Sequence, residues 1–335
     1  MLTAVPEHFT AYRIHQRGER VEAAFERVSL SELSDGEVVV RVAYSSVNYK
    51  DALAVSGAGR ILRRYPLIGG IDLAGVVVQS SDASVHVGDA VLVTGCGLSE
   101  TRDGGYTQYA RVPAAAVVAL PPNLDCATAM AIGTAGYSAA RAILRLEQAG
   151  QTPSAGPILV SGASGGVGSL AIDLLAGRGY EVVALTGKRE CAAYLHAIGA
   201  ARVMIRDEEH YGTQVLESQR WGGAIDTLGG ETLSWLLRST REGGNVASIG
   251  LAASAQLSVT VMPFILREVS LIGVNSVSNT RASRLAVWAR LASDLAPRHL
   301  PQIVTARIDW RELPARCAQS LAVRTIGRTL VQVSE

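Results

Sequence analysis

Gly162, Gly165 and Gly168 stand as G-x-x-G-x-x-G in the run SGASGGVGSLAIDLL. An apolar stretch, ILVSG (158–162), precedes them. Apolar residues at 167, 170, 171, 174 and 175 follow, and that spacing marks one face of a helix. A chain that reverses from strand to helix needs backbone angles that glycine tolerates. A missing Cβ lets the backbone approach a pyrophosphate, and the helix N-terminus offers free N–H groups at the positive end of its dipole. A plain connecting turn is the bland alternative. The strand before, the helix after and a second strand ending near 186 favour a dinucleotide loop.

The end of that second strand decides which dinucleotide is expected. It reads Ala184-Leu185-Thr186-Gly187-Lys188-Arg189, with no carboxylate to accept from a ribose 2′-hydroxyl. Thr186 and Lys188 could instead hold a 2′-phosphate. Charged hydrogen bonds contribute roughly 1.5–3 kcal/mol each, so one or two shift the preference tenfold or more. NADPH is the expected cofactor. The other reading makes Lys188 and Arg189 the solvated first turn of the next helix. Arg206, ending the third strand, either lies beside the adenine or is a surface arginine.

Other chemistries lack their sequence signals, though spacing leaves open a cysteine and a histidine brought together by the fold. Lys50 and Lys188 are the only lysines, and Ser46 and Ala184 lie four residues before them, so no Tyr-x-x-x-Lys pair exists. Cys96, Cys126, Cys191 and Cys317 lie far apart with no CxxC, which suits neither a disulfide framework nor a zinc knuckle. The six histidines, at 8, 15, 86, 196, 210 and 299, sit near no cysteine in sequence. Lys+Arg is 31 and Asp+Glu 30, so nothing marks a nucleic-acid or membrane-surface role. The N-terminus lacks a basic stretch followed by an apolar one, so no signal peptide is read, and reduced thiols fit a cytoplasmic protein. The uncharged run 243–266 is long enough to span a bilayer, but its polar interruptions predict two buried strands with a loop.

The elements that must position these residues follow from periodicity. With 335 residues and 48% hydrophobic content, two or three domains with real cores are possible. The first third is β-rich: VVVRVAY (38–44), DLAGVVVQSS (72–81) and DAVLVTG (89–95) are expected strands, punctuated by Gly and Pro. A small antiparallel, barrel-like domain is expected there. Near 130 the texture changes to an Ala-rich helix at 134–150. Strands at 158–162, 181–187, 201–206, 223–229, 245–250 and 269–275 then alternate with helices, which implies parallel βαβ units. The tail carries a helix around Trp288 and a last strand at 329–333.

Several segments together carry a family resemblance. SSVNYKDALAVSG (45–57), PLIGGIDLAGVV (66–77), IGTAGYSAA (132–140), SGASGGVGSLAI (161–172), AIDTLGG (224–230), VMPFILREVSLIGVNSV (261–277) and GRTLV (327–331) resemble the YhdH/AcuI branch of the medium-chain dehydrogenase/reductase superfamily. Members are called acrylyl-CoA reductase (NADPH) or quinone oxidoreductase. The resemblance implies an α/β protein: a GroES-like, β-barrel-type catalytic domain (1–130 and 280–335) and a Rossmann doubly wound parallel sheet domain (131–279). Zinc enzymes of the superfamily have Gly-His-Glu where this chain has Gly70-Ile71-Asp72, and a cysteine where Ser46 falls, so the resemblance is to the zinc-free reductases and no metal is expected. It implies NADPH contacts at Tyr49, Ser164, Gly165, Gly166, Val167, Thr186, Gly187, Lys188 and Arg206. It adds Leu251, Ile265 and Ser276 nearer the nicotinamide, together with Thr134 and Arg328. Two positions depart from the branch: Asn275 replaces an aspartate, and Ile326 replaces a polar residue.

The activity so implied is metal-free, NADPH-dependent reduction of the activated C=C of acrylyl-CoA or a related enoyl thioester. Charge develops on the carbonyl oxygen and calls for placed donors. By family analogy these are Tyr49 and Asn48, though Tyr49 serves equally as a cofactor-packing residue. Asp51 and Asp72 read as structural carboxylates bonding backbone N–H groups. A CoA substrate needs cations for its phosphates. Arg60, Arg63 and Arg64 form the one dense basic cluster, which an ordinary solvated loop explains as well. A broad quinone or enone reductase and a non-catalytic NADPH-binding protein are the competing readings. The sparsely charged strand 269–275 is an edge that invites pairing, so a homodimer is expected, with no nucleic-acid or membrane partner.

Overall fold

The computed structural model describes residues 5–322 and 324–333. The chain divides into two compact units: Met1–Thr134 with Val277–Ala292 and Val304–Glu335, and Ala135–Ser276 with Ser293–Ile303.

The first unit opens with a hairpin, β1 (Phe9–Arg17) and β2 (Arg20–Val28), followed by β3 (Val38–Val47) and α1 (Tyr49–Ser56). Next come β4 (Leu67–Ile68), β5 (Asp72–Ser80), β6 (Ala90–Thr94), β7 (Tyr109–Val112) and β8 (Val118–Ala119). Side chains alternate across a strand, and β3 uses both faces. Val38, Val40 and Val42 pack with Leu73, Val77, Val91 and Val93, while Val39 and Val47 belong to a second cluster with Phe9, Tyr12, Tyr106, Trp310 and Val331. Helix α2 (Cys126–Gln148) contains a non-helical residue, Gly133, at φ 52 and ψ −159. The division between the units falls one residue later.

The second unit contains β9 (Ile158–Ser161), α3 (Gly166–Gly177), β10 (Val182–Thr186), α4 (Ala192–Ala197) and β11 (Arg202–Ile205). It continues with β12 (Trp221–Asp226), α5 (Gly230–Ser239), β13 (Thr240–Ser248), α6 (Met262–Arg267) and β14 (Ser270–Gly273). The strands form one sheet in the order β11-β10-β9-β12-β13-β14, with every pair parallel. That is the doubly wound Rossmann order, and it reverses at β9, where the glycine loop leaves the sheet.

The tail supplies α7 (Arg281–Leu291), α8 (Leu300–Ile303), β15 (Val304–Asp309), α9 (Leu313–Leu321) and β16 (Arg328–Gln332). Strand β16 returns to the first unit and pairs antiparallel with β3, with Thr329 opposite Val47. The first unit thus holds a three-stranded sheet, β2-β1-β4, and a seven-stranded one, β15-β16-β3-β5-β6-β8 with β7 on β3.

Three expectations need correction. The run 243–266 holds one buried strand end; from 251 it is an exposed loop leading into α6. Its polar residues face water, so no second strand forms. Residues 293–303, expected in the catalytic domain, group with the second unit, where His299 donates through its backbone N–H to Asp173 of α3 at 3.1 Å. Nothing helical was expected before 134, yet a first helical stretch runs from Cys126 to the non-helical Gly133, and the expected helix follows it.

Candidate active site

In the first unit the segment 45–51 turns from β3 into α1, and Asn48 caps that helix. Its backbone N–H and Nδ2 donate to Asp51 Oδ2 at 2.8 and 3.2 Å, and Ile71 N–H donates to Asp51 Oδ1 at 2.9 Å. A cap with a carboxylate three residues on satisfies donors that the first helical turn leaves open. Asp72, fully buried at the start of β5, collects Ser46 Oγ–H at 2.6 Å, Asn48 Nδ2–H at 2.8 Å and Thr134 N–H at 3.0 Å. The Thr134 hydroxyl also donates to Asp72 Oδ1.

Arg328 closes this cluster. The β3–β16 register brings it beside Asn48, and its guanidinium donates to Asn48 Oδ1 at 3.0 Å and to the carbonyls of Ala131 at 2.9 Å and Val47 at 3.3 Å. Its Nη2 lies 3.9 Å from Asp72 Oδ2. Two carboxylates and one guanidinium are therefore buried together. Burial, and then the Asp72 charge, push Asp51 up to about 7. Burial and the neighbouring acids push the Tyr106 phenol well above its ordinary value, and Tyr106 donates to the Ser46 carbonyl at 3.0 Å.

This arrangement separates Tyr49 from Asn48. The Asn48 amide, with two N–H donors and one oxygen, is consumed by Asp51, Asp72 and Arg328. Tyr49, the first residue of α1, is 44% exposed, and its hydroxyl meets no hydrogen-bond partner among the described residues. Arg328 is 2% exposed, with its donors engaged. Thr134 is 9% exposed and spends its hydroxyl proton on Asp72.

In the second unit the glycine loop is as tight as its spacing demands. A Cβ at Gly168 would stand 2.4 Å from the Gly162 carbonyl oxygen. Gly165 caps α3 with no side-chain acceptor over the first turn, which leaves the Gly166 and Val167 end open to an anion. Ser164 Oγ lies 3.2 Å from Thr186 Oγ1, and Lys188 N–H donates to Thr186 Oγ1 at 3.1 Å. The Arg206 guanidinium runs along Gly187, where a Cβ would meet Nη2 at 3.3 Å. The nearby acids are engaged: Asp207 accepts from Arg206 Nε at 2.9 Å, and Glu208 pairs with Arg189. Ser164, Thr186, Gly187, Lys188 and Arg206 therefore assemble beyond the C-terminal ends of β9, β10 and β11, the face where such sheets bind nucleotides. The open helix end suits a pyrophosphate, and a strand end without a carboxylate suits a 2′-phosphate.

Leu251 and Ser276 follow β13 and β14 on that same face of the sheet, and Leu251 lines a hollow of about 220 Å³ with Ser248 and Ser254. Ile265 lies on α6 and is 68% exposed. Among the described residues no group of three or more His, Cys, Asp and Glu stands together as metal ligands. Sequence reasoning passed over Ser46 and Gly133 as parts of the site. An isolated glycine inside the Ala-rich helical pattern was the one available signal for the latter.

A GroES-like unit and a doubly wound Rossmann unit in one chain define a medium-chain dehydrogenase/reductase. Residues 34–122 match the family described as alcohol dehydrogenase GroES-like domain, and residues 166–293 match zinc-binding dehydrogenase. Acrylyl-CoA reductase AcuI of Ruegeria pomeroyi is 44% identical over 316 residues, covering 94% of this chain and 96% of that protein. The Bacillus subtilis protein named "Putative quinone oxidoreductase YhfP" is 44% identical over 326 residues, 97% of this chain and 99% of its own; its crystal structure has NAD bound and superposes with a TM-score of 0.94. The Salmonella enterica yhdH oxidoreductase, solved with NADP, is 43% identical with a TM-score of 0.94, covering 97% of this chain and all of that one. The chain belongs to this YhdH/AcuI family of oxidoreductases.

Proposed function

We propose that the chain is an NADPH-dependent reductase of acrylyl-CoA or a related enoyl thioester. One observation carries the cofactor half: Thr186, Lys188 and Arg206 converge on a strand end beside which Asp207 and Glu208 are each paired with an arginine. The substrate half rests on the likeness to AcuI. When bound, the cofactor supplies hydride from its C4 to the β-carbon of the unsaturated thioester. In this proposal Ser164–Val167, Thr186–Lys188 and Arg206 hold the cofactor, with Leu251, Ile265 and Ser276 toward its nicotinamide end. The Tyr49 hydroxyl, on an exposed residue and without a partner among the described residues, is the donor offered to the thioester oxygen. Asn48, Thr134 and Arg328 act by holding the turn into α1 and the bend in α2. The Thr134 hydroxyl keeps its proton on Asp72.

Oxidation of NADPH, followed by absorbance with acrylyl-CoA, benzoquinone and a simple enone in parallel, tests the reading. A preference for acrylyl-CoA that is lost with NADH is expected. Lys188→Ala should raise KM for NADPH roughly tenfold, the value of one charged hydrogen bond, and leave KM for NADH unchanged. Comparable slow rates on all three substrates would favour the second reading, a broad quinone or enone reductase, which the likeness to YhfP supports. No turnover on any of them would favour a non-catalytic NADPH-binding protein.

A homodimer and a cytoplasmic location belong to the same proposal. Strand β14 is an outer strand with Leu271 exposed, and Val261, Ile265 and Leu266 on or next to α6 are exposed as well. Apolar edges of this kind invite pairing. Sedimentation at micromolar protein should give twice the 35.2 kDa chain mass, and a monomer would refute the dimer. No described helix is long and apolar enough to cross a membrane.

A further inference from the structure

A cavity of about 440 Å³ opens in the first unit, lined among others by Glu32, Ser34, Asp35, Arg64, Thr101 and Arg102. Its charges do not cancel locally. Arg64 is held by neutral groups: Nε donates to the Thr101 carbonyl at 3.0 Å and Nη2 to Ser34 Oγ at 2.6 Å. Arg102 reaches only the Asp35 carbonyl, at 3.5 Å through Nη1, and its Nε–H is buried with no acceptor among the described residues.

The acids of the wall are occupied elsewhere. Glu32 accepts from Ser29 N–H at 2.8 Å and from Arg13 Nη1 at 3.2 Å, and Asp35 pairs with Arg111 at 3.3 Å. Asp103, which lines up behind Ser34, is saturated by the Ser34 backbone N–H and hydroxyl and by Ile68 N–H. Two guanidinium groups thus share one cavity with no carboxylate partner among the described residues. The Arg102 Nε–H is a buried donor without an acceptor, which is costly, and the Nη donors that Arg64 and Arg102 have left over can both serve an anion in the cavity. Forked guanidinium donors match phosphate oxygens, and the volume is that of a small-ligand site rather than a single ion.

We propose that this cavity binds the phosphorylated adenosine end of the CoA carrier, an assignment that rests on the thioester reading above. The link to the reacting end is physical. Glu100, next to Thr101, pairs with Lys50, the neighbour of Tyr49, and accepts Arg63 N–H through its carbonyl at 2.7 Å. Of the arginines clustered in sequence, only Arg64 lines the cavity. Its partner there is Arg102, 38 positions away.

Calorimetric titration of the full chain with CoA, with the phosphorylated adenosine fragment of CoA and with pantetheine tests the site. Arg102→Gln and Arg64→Gln should each weaken CoA and the adenosine fragment about tenfold, the loss of one charged hydrogen bond. Pantetheine and NADPH affinities should not change, and the NADPH value also reports that each variant is folded. KM for acrylyl-CoA should rise in both variants. With the unsubstituted chain, acrylyl-pantetheine should show a higher KM than acrylyl-CoA. Equal KM values, or CoA affinity untouched by both substitutions, would overturn the site and leave the reductase reading standing. Arginine-dependent binding of the adenosine fragment without any thioester turnover would do the reverse.

Discussion

Asp72→Ala is expected to cost about 3–5 kcal/mol of stability, the scale on which removal of one member of a buried pair acts. The carboxylate is the one anion within 4.0 Å of the Arg328 guanidinium among the described residues, and Arg328 cannot reach water from where it stands. Its removal also strands the Ser46 hydroxyl and the Thr134 N–H, which are buried donors. Denaturant midpoints for Asp72→Ala, Arg328→Met and the double variant separate the pair from its surroundings. The double variant should be more stable than the sum of the single losses predicts. A loss below about 1 kcal/mol in Asp72→Ala would mean that water reaches the cluster and the network is not a buried one.

The same cycle carries a pH signature through Asp51. The folded chain keeps the Asp51 proton up to about 7, whereas an unfolded aspartate releases it near ~4. Between those values the folded state binds the extra proton, so the Asp51 contribution to stability is present at low pH and is lost as pH rises through about 7. Asp72 is the second cause of that shift, after burial. Removing its charge should therefore flatten the decline between about pH 4 and 7 without abolishing it. An unchanged slope would show that the two carboxylates do not sense each other.

The Rossmann half of the fold was legible because buried parallel strands are continuous apolar runs, and ILVSG, EVVALTG and NVASIG could be little else. Its glycine loop was legible as a tight strand-to-helix turn because three glycines at fixed spacing have few other uses. The first hairpin was not. Strand β2, RVEAAFERV, alternates exposed and half-buried residues, so its pattern carries little apolar signal. Strand β15 was hidden for the same reason. Of the first-unit cluster, Asp51 and Asp72 were readable as structural carboxylates, since a short acid in a turn usually bonds backbone N–H groups. Their joining to Arg328 was not, because 256 positions separate Asp72 from Arg328 and only the β3–β16 register brings them together. Proximity along the chain grouped Arg60, Arg63 and Arg64, whereas the cavity is lined by Arg64 and the more distant Arg102.

Gly133→Ala is expected to cost far more stability than a methyl added at an open glycine. At φ 52 and ψ −159 the residue sits at the margin of a region essentially reserved for glycine, and strain there costs an L-residue about 1–3 kcal/mol. The space is also taken. A Cβ would lie 2.6 Å from Arg328 Nη2, 2.7 Å from Asp72 Oδ2 and 3.1 Å from Ser46 Oγ. None of the three can retreat without breaking a buried hydrogen bond, so the two costs add to roughly 3–5 kcal/mol or more. Gly243→Ala supplies the comparison. Gly243 also has a positive φ, of 70°, but nothing lies within 4 Å of its added methyl, so only the backbone cost of about 1 kcal/mol is expected. The difference between the two variants measures the close approach itself. It should be accompanied by loss of reductase activity in Gly133→Ala alone, because the bend at 133 is what delivers the Thr134 N–H and hydroxyl to Asp72. If both variants lose the same small amount and Gly133→Ala keeps its activity, α2 can straighten past the cluster, and the bend does not position Thr134.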